Sequence, residues 1–104
     1  MKKFLKEEPL IIVEGKRDKI VMEKIGFNDI LEISGKRLED VVEEVVKRRP
    51  KTVVVMTDFD HEGRKKASSL YKNFEKKRIH VDKRMRKVVR RIGVVSIEEL
   101  SHYL

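Results

Sequence analysis

The sequence predicts an α/β domain: a four-stranded parallel sheet, order 2-1-3-4, with helices on both faces. Three observations carry that prediction. Short apolar runs alternate with segments of helical apolar spacing along the whole chain, as in sheets built from strand–helix–strand crossovers. Two of the runs, Leu10–Val13 and Val53–Met56, are apolar at every position, as strands covered on both faces are. Both end in carboxylates and a glycine, Glu14-Gly15 and Asp58-Phe59-Asp60-His61-Glu62-Gly63. Ligands of an open parallel sheet gather outside the carboxyl ends of its strands, where the strand order reverses. For Glu14 to meet Asp58 and Asp60, the first and third strands must be neighbours, and right-handed crossovers then give 2-1-3-4.

The elements follow in order. Leu10–Val13 is a short buried strand entered through Pro9, which is tolerated at a strand start. Arg17–Ile25 is a helix ended by Gly26, with Val21, Met22 and Ile25 facing inward. Ile30–Ile33 is a second strand, interrupted by Glu32. Leu38, Val41, Val42, Val45 and Val46 keep the i, i+3, i+4, i+7, i+8 spacing of a core-facing helix, which Pro50 closes. Thr52–Thr57, rich in β-branched residues, is the central strand. Ala67, Leu70, Tyr71 and Phe74 return to helical spacing, and Ile79–Val81 is a short fourth strand. Met85, Val88, Val89 and Ile92 line one face of a helix whose other face carries Arg84, Arg86, Lys87, Arg90 and Arg91; Gly93 stops it. Ser96-Ile97-Glu98-Glu99 has the form of a capping box and opens a last short helix, about Ile97 to Tyr103. No linker or low-complexity stretch interrupts the pattern, so residues 1–104 read as one domain.

Charge narrows the partner. The formal net charge is +8. Between Gly63 and Arg91 there are 13 basic residues, opposed only by Glu75 and Asp82. Clustered Lys and Arg displace counterions from nucleic acid, so a polyanionic partner, RNA or DNA, is expected. A generally basic, solvated surface is the plainer alternative. Cysteine is absent, which excludes disulfides and thiolate metal sites. No apolar run approaches the ~20 residues of a membrane span, and Lys6, Glu7 and Glu8 interrupt the only apolar residues near the start. A cytoplasmic protein with no membrane partner is the expectation.

Carboxylates collected at one point repel one another and resist ionising together unless a cation sits among them. An all-carboxylate set suits a hard cation that keeps several waters, hence Mg²⁺ or Mn²⁺ rather than zinc. Gly15 and Gly63 let backbone approach a phosphate, and Lys16 offers it a point charge. Each residue has a plainer reading. Asp58 and Asp60 can cap the following helix. Glu14 can be a surface charge, and Glu62 a first-turn acid favoured by the helix dipole. His61 reads as an exposed loop residue. Ser34-Gly35-Lys36 is a turn that either approaches substrate or simply starts a helix. The lysines and arginines from Lys83 to Arg91 form either a nucleic-acid face or the solvated side of an amphipathic helix.

Val13-Glu14-Gly15-Lys16 with Asp18 shortly after, followed by Asp58-x-Asp60-x-x-Gly63, resembles the Toprim domain. That domain occurs in type IA and type II topoisomerases, bacterial primases, nucleases, recombination mediators and the ribonuclease that matures 5S ribosomal RNA. The resemblance covers roughly residues 8 to 82 and implies a Toprim-like, Rossmann-like sheet. It implies that Glu14 is the catalytic acid or base, that Asp58 and Asp60 hold Mg²⁺ or Mn²⁺, and that Glu62 matches a further metal-binding acid of the topoisomerase-like version. Phosphate or nucleic-acid contacts are expected from Lys16, Lys36, Arg64, Lys65, Lys83, Arg84, Arg86, Lys87, Arg90 and Arg91. A topoisomerase needs a nucleophilic tyrosine on a separate domain, and neither Tyr71 nor Tyr103 suits that role. Primase needs further zinc-binding and helical parts. The expected activity is therefore that of a metal-dependent endonuclease, ribonuclease-like in scale, although the ribonuclease loop usually has proline where His61-Glu62 stands here. The alternative is a non-catalytic nucleic-acid-binding or assembly module of a larger nucleoprotein complex.

Overall fold

Leu10–Val13 (β1), Ile30–Glu32 (β2) and Val53–Val55 (β3) pair as a parallel sheet of order β2-β1-β3 in a computed structural model that describes residues 2–104. Ile11 lies opposite Ile30 on one side and Val54 on the other. The helices are α1 (Lys2–Lys6), α2 (Lys16–Ile25), α3 (Leu38–Arg48), α4 (His61–Lys76) and α5 (Arg84–Ile92), followed by a 3-10 helix, η1 (Ile97–Tyr103).

Strand alternation divides the core in two. Ile11, Val13, Val54 and Met56 point to one face, where Phe4 of α1, Val21 and Met22 of α2, Met85 and Val89 of α5, and Ile97 and Leu100 of η1 cover them. Leu10, Ile12, Leu31, Val53 and Val55 point to the other, against Val41 and Val45 of α3 and Ala67, Leu70 and Phe74 of α4. All four residues of β1 are buried, which explains an apolar run with no polar alternation.

The sheet is one strand narrower than expected. Residues 79–81 lie beside β3 as predicted but make a single parallel bridge, Val53 to Val81. The Val53 amide donates to the His80 carbonyl and the Asp82 amide to the Val53 carbonyl, both at 2.9 Å. Two turns leave no room for more. Arg78 takes a left-handed φ of 58° just before the segment. Just after it, Asp82 turns the chain into α5 by accepting from the Arg84 amide at 2.9 Å.

Other expectations change: Val46, expected on the core face, is 38% exposed, because α3 buries only Val41, Val42 and Val45. Val88 and Ile92 are 41% and 42% exposed, because α5 packs on the sheet only through the narrower stripe of Met85 and Val89. Helix α1 was not legible: it is five residues long, and the burial of Phe4 holds it.

Asp82 joins these parts. It is buried, pairs with the Arg84 guanidinium, and Arg84 in turn bonds Glu7 beyond α1 at 3.0 Å. The Arg84 guanidinium holds the Asp82 carboxyl below its ordinary value of 3.8. That stabilisation is complete above the ordinary value and drains as pH falls through the lower folded one. Asp82→Ala is expected to cost about 1–2 kcal/mol, the usual scale for losing a side chain that ties down a helix start. Asp82→Asn should flatten the acid side of a stability–pH curve measured by urea denaturation.

Candidate metal and phosphate site at the strand tips

Because β1 and β3 are adjacent and parallel, their carboxyl ends emerge together. Glu14 follows β1 directly, and its Oε2 accepts the Asp58 amide at 3.0 Å. Its Oε1 accepts the Lys66 ammonium of α4 at 2.7 Å. Burial, then the Glu14 carboxyl and the charges of Glu14 and Asp18, push Asp58 up to about 6, against the pull of the Ile97 amide. Burial also acts to raise Glu14, but Lys66 and the Asp58 amide outweigh it and hold Glu14 below its ordinary value.

The loop carrying Asp58 is fastened from several sides. Asp58 Oδ1 accepts the Ile97 amide at the start of η1 at 2.8 Å. The Phe59 amide donates to the Val95 carbonyl at 2.7 Å. Asp60 caps α4, accepting the Gly63 amide at 2.8 Å, and the buried Thr57 hydroxyl donates to the Gly63 carbonyl at 2.6 Å. Beneath the loop the Arg86 guanidinium donates to the carbonyls of Thr57 and Asp58 and stacks 4.4 Å from the Phe59 ring centre. Lysine cannot reproduce that fork. Arg86→Lys is expected to cost about 1.5–3 kcal/mol, the scale of charged hydrogen bonds, read as a lower thermal midpoint.

The residues singled out in the sequence thus fall into distinct settings. Glu14 and Asp58 converge; Asp60 and Glu62 stand exposed at the start of α4. Glu62, Lys36 and Lys65 line a cavity of about 400 Å³ that also has Glu14 on its wall and Ile33, Leu38 and Val41 on its apolar side. Pairing of β2 with β1 continues past the strands, with the Ser34 amide donating to the Glu14 carbonyl at 2.8 Å, and so brings Ser34-Gly35-Lys36 to this rim. Lys16 is exposed at the start of α2. Arg64, Lys83, Lys87, Arg90 and Arg91 are exposed around α4 and α5, whereas Arg84 and Arg86 are engaged within the fold.

Two nearby residues were not singled out as site residues. Lys66, four positions after Glu62, is the cation that meets Glu14. Asp18, buried behind the pair, accepts the Gly15 amide at 3.1 Å, and the Gly15-x-x-Asp18 spacing of a helix start was its visible signal. Burial, then the Glu14 and Glu98 charges, raise Asp18 against that bond.

The donor chemistry fits a hard divalent ion. The closest acids are oxygen donors only, and burial, with Glu14 and Asp18 nearby, pushes Asp58 up to about 6. Among the described residues no three His, Cys, Asp or Glu side chains form a metal-holding group. The fit is therefore to Mg²⁺ or Mn²⁺ bound through one or two carboxylates with waters completing the shell, a usual mode for Mg²⁺. Among the described residues no helix is long and apolar enough to cross a membrane.

Comparison with known proteins bears on the family and the fold. The Toprim domain family model matches residues 9–97. A UPF0292 protein of Methanocaldococcus jannaschii is 35% identical over 102 residues, covering 94% of this chain and 80% of that protein. Another from Thermococcus gammatolerans is 29% identical over 104 residues, covering 96% and 77%. A solved structure of a protein from Aquifex aeolicus superposes with a TM-score of 0.82 at 27% identity, covering 95% of this chain and 96% of that one.

Proposed function

The chain belongs to the Toprim domain family and to its UPF0292 relatives, and from that premise we propose that it is a divalent-metal-dependent phosphodiesterase acting on nucleic acid, an endonuclease in its most specific form. Toprim domains typically bind Mg²⁺. The observation that carries the reading is the meeting of Glu14 and Asp58, 44 residues apart in sequence and joined at 3.0 Å.

Glu14 and Asp58 would hold the ion, with Asp60 and Glu62 at its outer side. Such an ion supplies positive charge to the non-bridging oxygens of a phosphate and acidifies nearby water. Glu14 is the group suited to take a proton, since Lys66 and the Asp58 amide keep it ionised and oriented. Lys36, Lys65 and Lys66 border the adjoining cavity and would steer a phosphate towards it. The exposed cations of α4 and α5 would bind backbone on either side.

A second reading is a non-catalytic binding or assembly module. It is favoured by the commitment of Asp58 and Asp60 to helix starts and of Glu14 to Lys66. Labelled RNA and DNA panels incubated with Mg²⁺, Mn²⁺ or EDTA separate the two. Cleavage that requires the metal supports the enzyme. Salt-sensitive binding with no panel member cut supports the module.

A further inference from the structure

On the far side of α4 from the Glu14 cavity lies a second depression, about 170 Å³, between α4 and α5. Its aromatic residues are Phe59 and Tyr71. Arg64, Lys83, Lys87 and Arg90 surround them. No carboxylate lines it, in contrast to the Glu14 cavity, which carries Glu14 and Glu62. Phe59 stands between Asp58 and Asp60 in sequence, so the loop that carries the acids also supplies one wall of the depression. Arg86 stacks on Phe59 and spends its donors on backbone carbonyls, so it fixes this floor rather than adding a mobile charge.

We propose that this depression seats an unpaired base next to the phosphate at the acidic tips, making the substrate a single-stranded segment of nucleic acid. The proposal rests on the phosphodiesterase reading and names its substrate class. A duplex presents phosphates to a basic surface but keeps its bases stacked inside, where aromatic side chains between two helices have nothing to meet. An unpaired strand offers both chemistries: base faces for Phe59 and Tyr71, phosphates for the surrounding cations. Lys83 sits 4.5 Å from the Tyr71 ring centre and only 3.9 Å from Glu75, an exposed and weak pairing. Its long stem can swing from the ring to a phosphate as a base enters. The first turns of α4 form the ridge the strand crosses, with Arg64 towards one depression and Lys65 and Lys66 towards the other.

The test measures binding by the full chain in EDTA, where no metal-dependent cleavage occurs. The probes are a fluorescent oligothymidylate, its oligouridylate counterpart, a duplex of equal length, and inorganic polyphosphate, which has charge but no bases. The chain has no tryptophan and two tyrosines, so Tyr103→Phe leaves Tyr71 as the reporter of stacking. Both single strands are expected to bind more tightly than duplex and to quench Tyr71 emission. Tyr71→Leu should weaken single-strand binding about 5- to 150-fold and leave duplex binding unchanged. Should Tyr71→Leu fail to fold, Lys87→Glu with Arg90→Glu, both at exposed positions, should abolish the quench. Equal affinity for duplex, polyphosphate competing as well as a single strand, or binding without quench would each overturn the proposal. Absence of cleavage in Mg²⁺ with the single-strand preference intact would overturn only the phosphodiesterase reading. Metal-dependent cleavage with duplex bound equally well would overturn only this one.

Discussion

Glu14→Gln is expected to lower metal-dependent strand cleavage by about 10²–10⁴-fold, the range for removing a general base, while binding in EDTA and the thermal midpoint stay near those of the parent protein. Glutamine keeps the size of the side chain and an oxygen to accept the Asp58 amide, so the loop retains its 3.0 Å tie to β1. What disappears is the charge that takes a proton and helps hold the ion. The lost pairing with Lys66 matters little for stability, because that ammonium is 48% exposed and solvent screens it. A second readout follows from the shared position of the two acids. The Glu14 carboxyl and its charge help burial raise Asp58 to about 6. Removing them should lower the Asp58 titration in the metal-free variant, though burial keeps it above the ordinary 3.8. In the parent protein, stability attached to Asp58 is full below the ordinary value and is lost as pH rises through about 6; in the variant that loss should be smaller. Cleavage at the parental rate in Glu14→Gln, or an Asp58 carboxyl resonance titrating unchanged, would remove Glu14 from the site.

The strand tips were legible because their cause is local and strong. A run such as Leu10–Val13 with no polar member can only be covered on both faces, and adjacency of β1 and β3 then brings Glu14 to Asp58. Other features depend on contacts that periodicity does not carry. Helix α1 forms around one buried ring, Phe4, and five residues would not be helical alone. The fourth strand was legible in position but not in length, which the left-handed turn at Arg78 and the bend at Asp82 set. Apolar spacing in α5 marked a face without saying how wide its neighbour is, so Val88 and Ile92 read as core yet lie exposed. Charge spacing is quieter still. In the series Arg84, Arg86, Lys87, Arg90, nothing in the sequence says that the second turns inward to carbonyls. Lys66 sits on a polar helix face that looks solvated until β1 is placed beside it.

Gly63→Ala should be among the most damaging small substitutions available, and it opposes two forces whose sizes decide the sign. Gly63 lies in the first turn of α4, where alanine is intrinsically better than glycine by about 0.8–1 kcal/mol. Against that, a Cβ there would stand 2.6 Å from the Asp58 carbonyl carbon and 2.9 Å from its Cα, closer still to its oxygen. The obstacle is backbone, which cannot rotate aside as a side chain can. Either α4 lifts or the Asp58 loop shifts. Lifting weakens the Thr57 hydroxyl bond and the Asp60 cap, both made to Gly63. Shifting pulls Asp58 from the Ile97 amide and from Glu14. Overpacking costs about 1–3 kcal/mol and sometimes more, and two hydrogen bonds add about 1 kcal/mol each. The net expectation is a loss of about 2–4 kcal/mol, which for a domain this size lowers the thermal midpoint by at least ~8 °C. Gly15→Ala is the control: its Cβ would meet nothing nearer than Asp18 Oδ2 at 3.9 Å, and its extended φ of −137° admits alanine. That change should stay within about 1 kcal/mol, the scale of a modest cap preference. If Gly63→Ala melts with the parent or above it, helix propensity has won, α4 does not press on the Asp58 backbone, and the acids are not held as described.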